Sequence, residues 1–216
     1  LIQYFSDGIK LKGSEKIGTE HEKFIYSKKD LSLIPFHGER SISAVLKKFI
    51  ENSWDPIIED EQIVGANKNQ ASITLEPGGQ FELSGAPLNN LHETCREIND
   101  HLSFTKSLEE EFDIGFLGIG YIPLGTFNDM PKVPKKRSHQ ILTPYMQKIG
   151  GLGLEMMYQT CTVQANFDFT SESDMAKKVN VSAALQPLAT ALFANSPFKN
   201  GNINGYLSYR SIICDN

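Results

Sequence analysis

Glu20 and Glu22 stand two residues apart in residues 17–24 (IGTEHEKF), and Glu76 and Glu82 flank a Pro-Gly-Gly break in residues 74–85 (TLEPGGQFELSG). Alternate side chains of an extended strand share a face, so Glu20 and Glu22 project together while His21 points the other way. The same parity separates Thr74, Glu76, Gln80 and Glu82, all polar, from Ile73, Leu75, Phe81 and Leu83, all apolar. Carboxylates crowded into a partly dry cleft repel one another, and at least one keeps its proton unless cations are bound. Hard oxygen donors select Mg²⁺, or Mn²⁺, over zinc, and Mg²⁺ commonly combines one or two carboxylates with substrate phosphate and water. The pattern therefore points to metal-bound phosphate chemistry. The bland alternative for either motif alone is the solvated face of a half-exposed sheet.

A third alternating stretch, residues 161–169, sets Thr162, Gln164, Asn166 and Asp168 against Cys161, Val163, Ala165, Phe167 and Phe169. Amides on a sheet face offer the donors and acceptors that an amino-acid backbone needs. Cys161 falls on the apolar side and reads as core. His21, on the inner parity of its strand, reads as a structural histidine, and His37, His92, His101 and His139 show neither zinc nor dyad spacing. The basic residues 132–137 (KVPKKR) have the composition of a solvated loop or of a lid over polyphosphate. Arg210, after a Gly and Asn loop, could grip a carboxylate or phosphate with two parallel hydrogen bonds.

Positioning these groups requires strands at residues 16–26, 62–66 and 71–84, the last broken at residues 77–79, where proline removes a donor and glycine frees the backbone. Helical spacing marks residues 41–52, capped by Ser41. A long amphipathic helix starts at Asn90, with Glu93 at capping-box spacing and Leu91, Cys95, Ile98, Leu102 and Thr105 on its apolar face. Strands at residues 114–122 and 158–169, a helix at residues 140–149, and a helix from Ser171 to about residue 195, kinked at Pro187, follow. The tail reads as a loop into a strand. The order lacks regular βαβ alternation, which predicts an α+β fold with a largely antiparallel sheet in one unit, residues 1–216.

A net charge of −5 and a pI near 5.6 give no general attraction to nucleic acid or anionic membranes, so small-molecule partners are favoured. The apolar run at residues 114–123 is far short of the ~20 residues that cross a bilayer as a helix. Three scattered cysteines, without a CxxC motif, predict a reduced, cytoplasmic compartment. The chain opens on Leu1 and ends after a strand-like run, and it reads as a fragment.

Together, residues 17–24 (IGTEHEKF), 73–88 (ITLEPGGQFELSGAPL), 160–169 (TCTVQANFDF) and 204–211 (NGYLSYRS) resemble glutamate-cysteine ligases of the plant and proteobacterial type. The resemblance implies a glutamine-synthetase-like carboxylate-amine ligase fold, a curved, mainly antiparallel sheet flanked by helices. It implies ATP-dependent joining of the L-glutamate γ-carboxyl to the amine of L-cysteine through γ-glutamyl phosphate, the first step of glutathione synthesis. By position it makes Glu20, Glu22, Glu76 and Glu82 ligands of Mg²⁺ (or Mn²⁺), and sets Gln80, Gln164, Asn166 and Arg210 against the substrates. It assigns no general base, leaves a homodimer open, and makes this chain the N-terminal part of a longer enzyme. The resemblance implies an arginine at position 159, where this chain has Gln159. Two other readings stay open: a γ-glutamyl ligase using another amine, and a noncatalytic fragment that binds metal or amino acid.

Overall fold

A computed structural model describes residues 2–134 and 137–215. In chain order the elements are α1 (Ile2–Asp7), β1 (Ile17–Ser27), α2 (Ile42–Glu51), β2 (Asp55–Glu59), β3 (Gln62–Lys68), β4 (Ala71–Leu75), β5 (Phe81–Ser84), α3 (Leu91–Phe112) and β6 (Ile114–Leu117). They continue with α4 (Arg137–Ile149), α5 (Gly153–Gln159), β7 (Val163–Phe167), α6 (Glu172–Phe193), β8 (Phe198–Lys199), β9 (Asn202–Ile203) and α7 (Tyr209–Cys214). The mixed α+β architecture and its antiparallel sheet match the expectation.

The sheet runs β2-β3-β4-β5-β1, with all its pairings antiparallel. Beyond β1, two strands share one edge: β7 pairs with residues 17–21 and β6 with residues 24–27. β1 is thus the central strand, and the register sets Glu22 opposite Glu82, Glu20 opposite both Ser84 and Gln164, and Thr74 opposite Glu82. Because paired residues point the same way, these side chains collect on one face.

The opposite face is dry. Ile73, Leu75, Phe81 and Leu83 are all at most 2% exposed, and they pack with Val45, Leu46 and Phe49 of α2 and Leu108 of α3. Ser41 caps α2 by accepting from the Ala44 N–H at 3.2 Å. Asn90 caps α3 through the N–H groups of His92 and Glu93, both at 3.1 Å. A second apolar cluster, containing Phe24, Tyr121, Met157, Tyr158, Cys161 and Ile213, closes the far end of the carboxylate face. Phe24 shares the parity of Glu20 and Glu22, so the polar floor ends where β1 turns apolar.

Several local expectations are corrected. The inward line of α3 is Thr94, His101, Thr105 and Leu108, while Leu91 is 70% exposed. Residues with polar tips face inward there, which an apolar stripe read from sequence excludes. The strand expected over residues 158–169 shrinks to β7, because residues 153–159 form α5. The strand expected over residues 114–122 stops at Leu117, and Tyr121 makes only an isolated bridge to Thr160. The tail ends in a helix, α7, after the short β8-β9 hairpin. In the basic stretch read as a solvated loop or a lid, Lys135 and Lys136 lie outside the described residues.

β7 has both faces exposed, and α6 buries none of its side chains among the described residues. Val179, Leu185, Leu188, Leu192 and Phe193 of that helix are exposed. A helix with apolar residues on every side is one that a complete fold covers.

Candidate active-site cleft

The turn at residues 77–79 sets the geometry. Gly79 (φ 76°) returns its N–H to the Glu76 carbonyl at 2.8 Å, and the Glu76 N–H donates to the Gln80 carbonyl at 2.9 Å. At Gly78 a Cβ would fall 2.2 Å from the Tyr158 carbonyl oxygen, so only glycine lets the turn seat against α5. Gln80, expected to face substrate, is instead 1% exposed, and its Nε2 donates to the carbonyls of Met157 (3.2 Å) and Thr160 (2.8 Å). It clamps the end of α5 onto the turn and so holds Glu76 and Glu82 against the segment that leads into β7. Gln80→Leu leaves both carbonyls buried without their donor, at about 1–3 kcal/mol each. A loss of about 2–4 kcal/mol in denaturant unfolding is expected.

The carboxylates occupy unlike environments. Glu82 is buried, with Oε2 accepting from the Thr74 hydroxyl at 2.9 Å and Oε1 from the Ser84 hydroxyl at 2.7 Å. Glu22 Oε2 accepts from the Thr162 N–H at 3.0 Å. Burial, followed by the charges of Glu76 and Glu82, pushes the Glu22 carboxyl up to about 8, against the pull of the Thr162 N–H and Arg210. Glu20 accepts from the amides of Gln164 and, at 2.8 Å, Asn166. Both amides expected to meet substrate are turned onto Glu20 here.

Glu22, Thr162, Cys161, Ser196, Ser208 and Arg210 line one cleft of about 450 Å³. Arg210 sits in the first turn of α7; its N–H donates to Ser196 Oγ at 3.1 Å, and its Nε is buried without a hydrogen-bond partner among the described residues. Cys161 is buried, and burial above all pushes its thiol well up, so it is core, as expected. His21 bonds to Thr19 Oγ1 at 3.2 Å, in keeping with a structural role. Sequence reasoning missed Ser196 and Ser208, which carry no motif and reach the cleft only through the fold of the tail.

As placed, no three His, Cys, Asp or Glu side chains among the described residues form a group that could hold a metal ion. The chemistry of the donors nonetheless fits a hard cation. Burial first, and then the charges of Glu76 and Glu82, keep a proton on Glu22 into the neutral range, and a divalent ion would offset both the burial and the repulsion.

The sequence model of glutamate-cysteine ligase family 2 matches residues 16–216. The chain belongs to this family. It is 51% identical over 214 residues to glutamate-cysteine ligase A, chloroplastic, of Oryza sativa subsp. indica, covering 99% of this chain and 43% of that protein. The chloroplastic glutamate-cysteine ligases of Medicago truncatula (52% identical; 99% of this chain, 41% of that one) and Arabidopsis thaliana (50%; 99% and 40%) are similar to the same extent. The chain spans about two fifths of the length of these relatives. These relatives are named chloroplastic, which overturns the expected cytoplasmic location. Cys95, Cys161 and Cys214 are free. No helix among the described residues is long and apolar enough to cross a membrane.

Proposed function

We propose that this family member is the N-terminal part of a plastid ligase that joins the γ-carboxyl of L-glutamate to the amine of L-cysteine with hydrolysis of ATP. The observation that carries this reading is Glu22 opposite Glu82 on the paired strands β1 and β5, with Glu76 in the adjoining turn near enough to raise the Glu22 carboxyl and Arg210 lining the same cleft as Glu22. A carboxylate is a poor acyl donor. Phosphorylation by ATP gives γ-glutamyl phosphate and ADP, and attack by the cysteine amine then forms the amide and releases phosphate. In phosphoryl transfer a protein mainly positions reactants and neutralises charge.

Glu22, Glu76 and Glu82 are the side chains that would hold Mg²⁺, or Mn²⁺. Bound there, the ion would neutralise phosphate charge and lower the barrier to transfer. Glu20 is the outermost ligand candidate, and its release from Gln164 and Asn166 would free those amides for an amino-acid substrate. Arg210 would hold the glutamate α-carboxylate or the transferred phosphate through its fork of N–H donors. Gln80 serves as the clamp that keeps the turn in register.

The same proposal takes the sheet to be the curved platform of a glutamine-synthetase-like ligase. It also takes residues 1–216 as one catalytic unit that further chain completes, with a homodimer as the assembly. The exposed faces of β7 and α6 support it, since more chain would cover them.

The test is phosphate release from ATP by the complete protein, with Mg²⁺ and glutamate, with and without cysteine. Release that needs glutamate and rises with cysteine is expected. Equal stimulation by amines lacking a thiol would transfer the assignment to another γ-glutamyl ligase. Hydrolysis indifferent to both amino acids would overturn the substrate assignment.

A further inference from the structure

On the face of the sheet opposite the carboxylates, α2, α3 and β4 enclose a cavity of about 560 Å³ that the ligase reading does not use. Part of its wall is aromatic. Phe49 meets Trp54 and Phe104 edge to face, at centroid distances of 5.4 and 4.7 Å. His101 lines the same space, is 7% exposed, and has no hydrogen-bond partner for either ring nitrogen among the described residues. One helical turn earlier one oxygen of Glu97 accepts from the Ala86 N–H at 2.9 Å, while its Oε2 is buried without a partner among the described residues. Burial, then the charges of Lys23 and His21, holds His101 down at about 3, so the imidazole is neutral, with one donor and one acceptor nitrogen.

Unpaired buried polar atoms are rare in folded proteins, and each costs about 1–3 kcal/mol. Three of them on adjacent turns of one helix, at a cavity of ligand size, mark a place where a partner is wanted. The geometry limits that partner. It must be flat enough to lie among Phe49, Trp54 and Phe104, and it must carry a group that can donate to, or accept from, a ring nitrogen of His101. The lining carries both signs, with Glu93, Glu97 and Asp100 beside Arg96 and Lys68, so it presents no field of one sign that would select an ion.

We propose that this cavity binds a small, neutral, flat aromatic molecule bearing a hydroxyl or an equivalent donor-acceptor group, seated on His101. The site lies across the sheet from the cleft and is independent of the metal and substrate assignments.

Phenol, which can meet His101, and toluene, which cannot, are the probes, applied to the complete protein. Trp54 is the only tryptophan of this chain, and the difference between wild type and Trp54→Phe isolates its fluorescence. Phenol is expected to change that signal saturably, with toluene binding about five- to tenfold more weakly, the value of one net hydrogen bond. His101→Phe should erase the difference. Ala71→Leu, which narrows the cavity from β4 and leaves His101 intact, should abolish both responses and covers the case in which His101→Phe fails to fold. No saturable response, equal affinity for the two probes, or binding undiminished in Ala71→Leu would each overturn the proposal.

Discussion

Replacing Glu22 by Gln in the complete protein should, on the proposed ligase activity, lower glutamate-dependent phosphate release about 10²- to 10³-fold, the range lost when one pre-positioned charge contact of a transition state is removed. The same change should make the metal-free protein more stable at pH 8. The two effects have one cause. Glu22 is opposite Glu82 in the strand register, near Glu76, and partly withdrawn from water. Its carboxyl is raised from 4.5 to about 8 in the fold. A raised acid binds its proton more tightly when folded, so its stabilising contribution is complete below about pH 4.5 and is lost as pH rises through about 8. Gln keeps the shape and removes the charge, and so removes that loss.

The melting temperature of metal-free wild type is therefore expected to fall between pH 5 and pH 8. In Glu22→Gln it should stay nearly level over the same interval. After allowance for the water that reaches the cleft, the difference at pH 8 is on the order of 2 kcal/mol. Mg²⁺ should restore wild-type stability at pH 8 and leave the variant unmoved. If both proteins show the same pH slope, Glu22 carries no trapped proton, and the grouping of carboxylates is electrostatically ordinary.

Much of this cleft was legible in the sequence because a strand has a period of two. Parity alone put Glu20 with Glu22, put Glu76 and Glu82 on the polar side, and sent Ile73, Leu75, Phe81 and Leu83 to the core, where all are at most 2% exposed. Parity says nothing of what a side chain meets across the gap. Gln80 has the right face yet bonds to the end of α5, because the Pro-Gly-Gly turn packs against Tyr158. Gln164 and Asn166 have the right face yet bond to Glu20, because β7 pairs with β1 at that register. The inward face of α3 was misread because Thr94 and His101 are buried there in place of Leu91. Local polarity and tertiary burial disagree at those positions, and burial prevails. The helix at Arg210 was hidden because Tyr, Ser and Ile fit a strand equally well, and only the contacts of Ser196 with residues 207–210 fix its start.

Those contacts underlie the second large effect, expected at Arg210. Ser196 donates its N–H to the Leu207 carbonyl at 2.9 Å, accepts the Tyr209 N–H on its own carbonyl at 3.2 Å, and accepts the Arg210 N–H on its hydroxyl at 3.1 Å. The backbone that carries the guanidinium is thus held from three directions before any substrate arrives. Its buried Nε has no hydrogen-bond partner among the described residues, and Arg210 lines a cleft in which an anion could take that donor. Arg210→Lys keeps the charge but loses the planar fork, and should lower kcat/KM for glutamate about 10²-fold, with Arg210→Met lower still. The split identifies the anion. A rise in KM for glutamate at constant kcat marks the α-carboxylate, whereas a fall in kcat at constant KM marks the phosphoryl group in transfer. Arg210 also draws the Glu22 carboxyl downward, so Arg210→Met should raise it further and steepen the loss of metal-free stability between pH 5 and pH 8. A variant that weakens turnover without moving that pH slope would put the guanidinium elsewhere than beside Glu22. Partial rescue of Arg210→Ala by added guanidinium would show that the lost group, and not a collapsed α7, accounts for the defect.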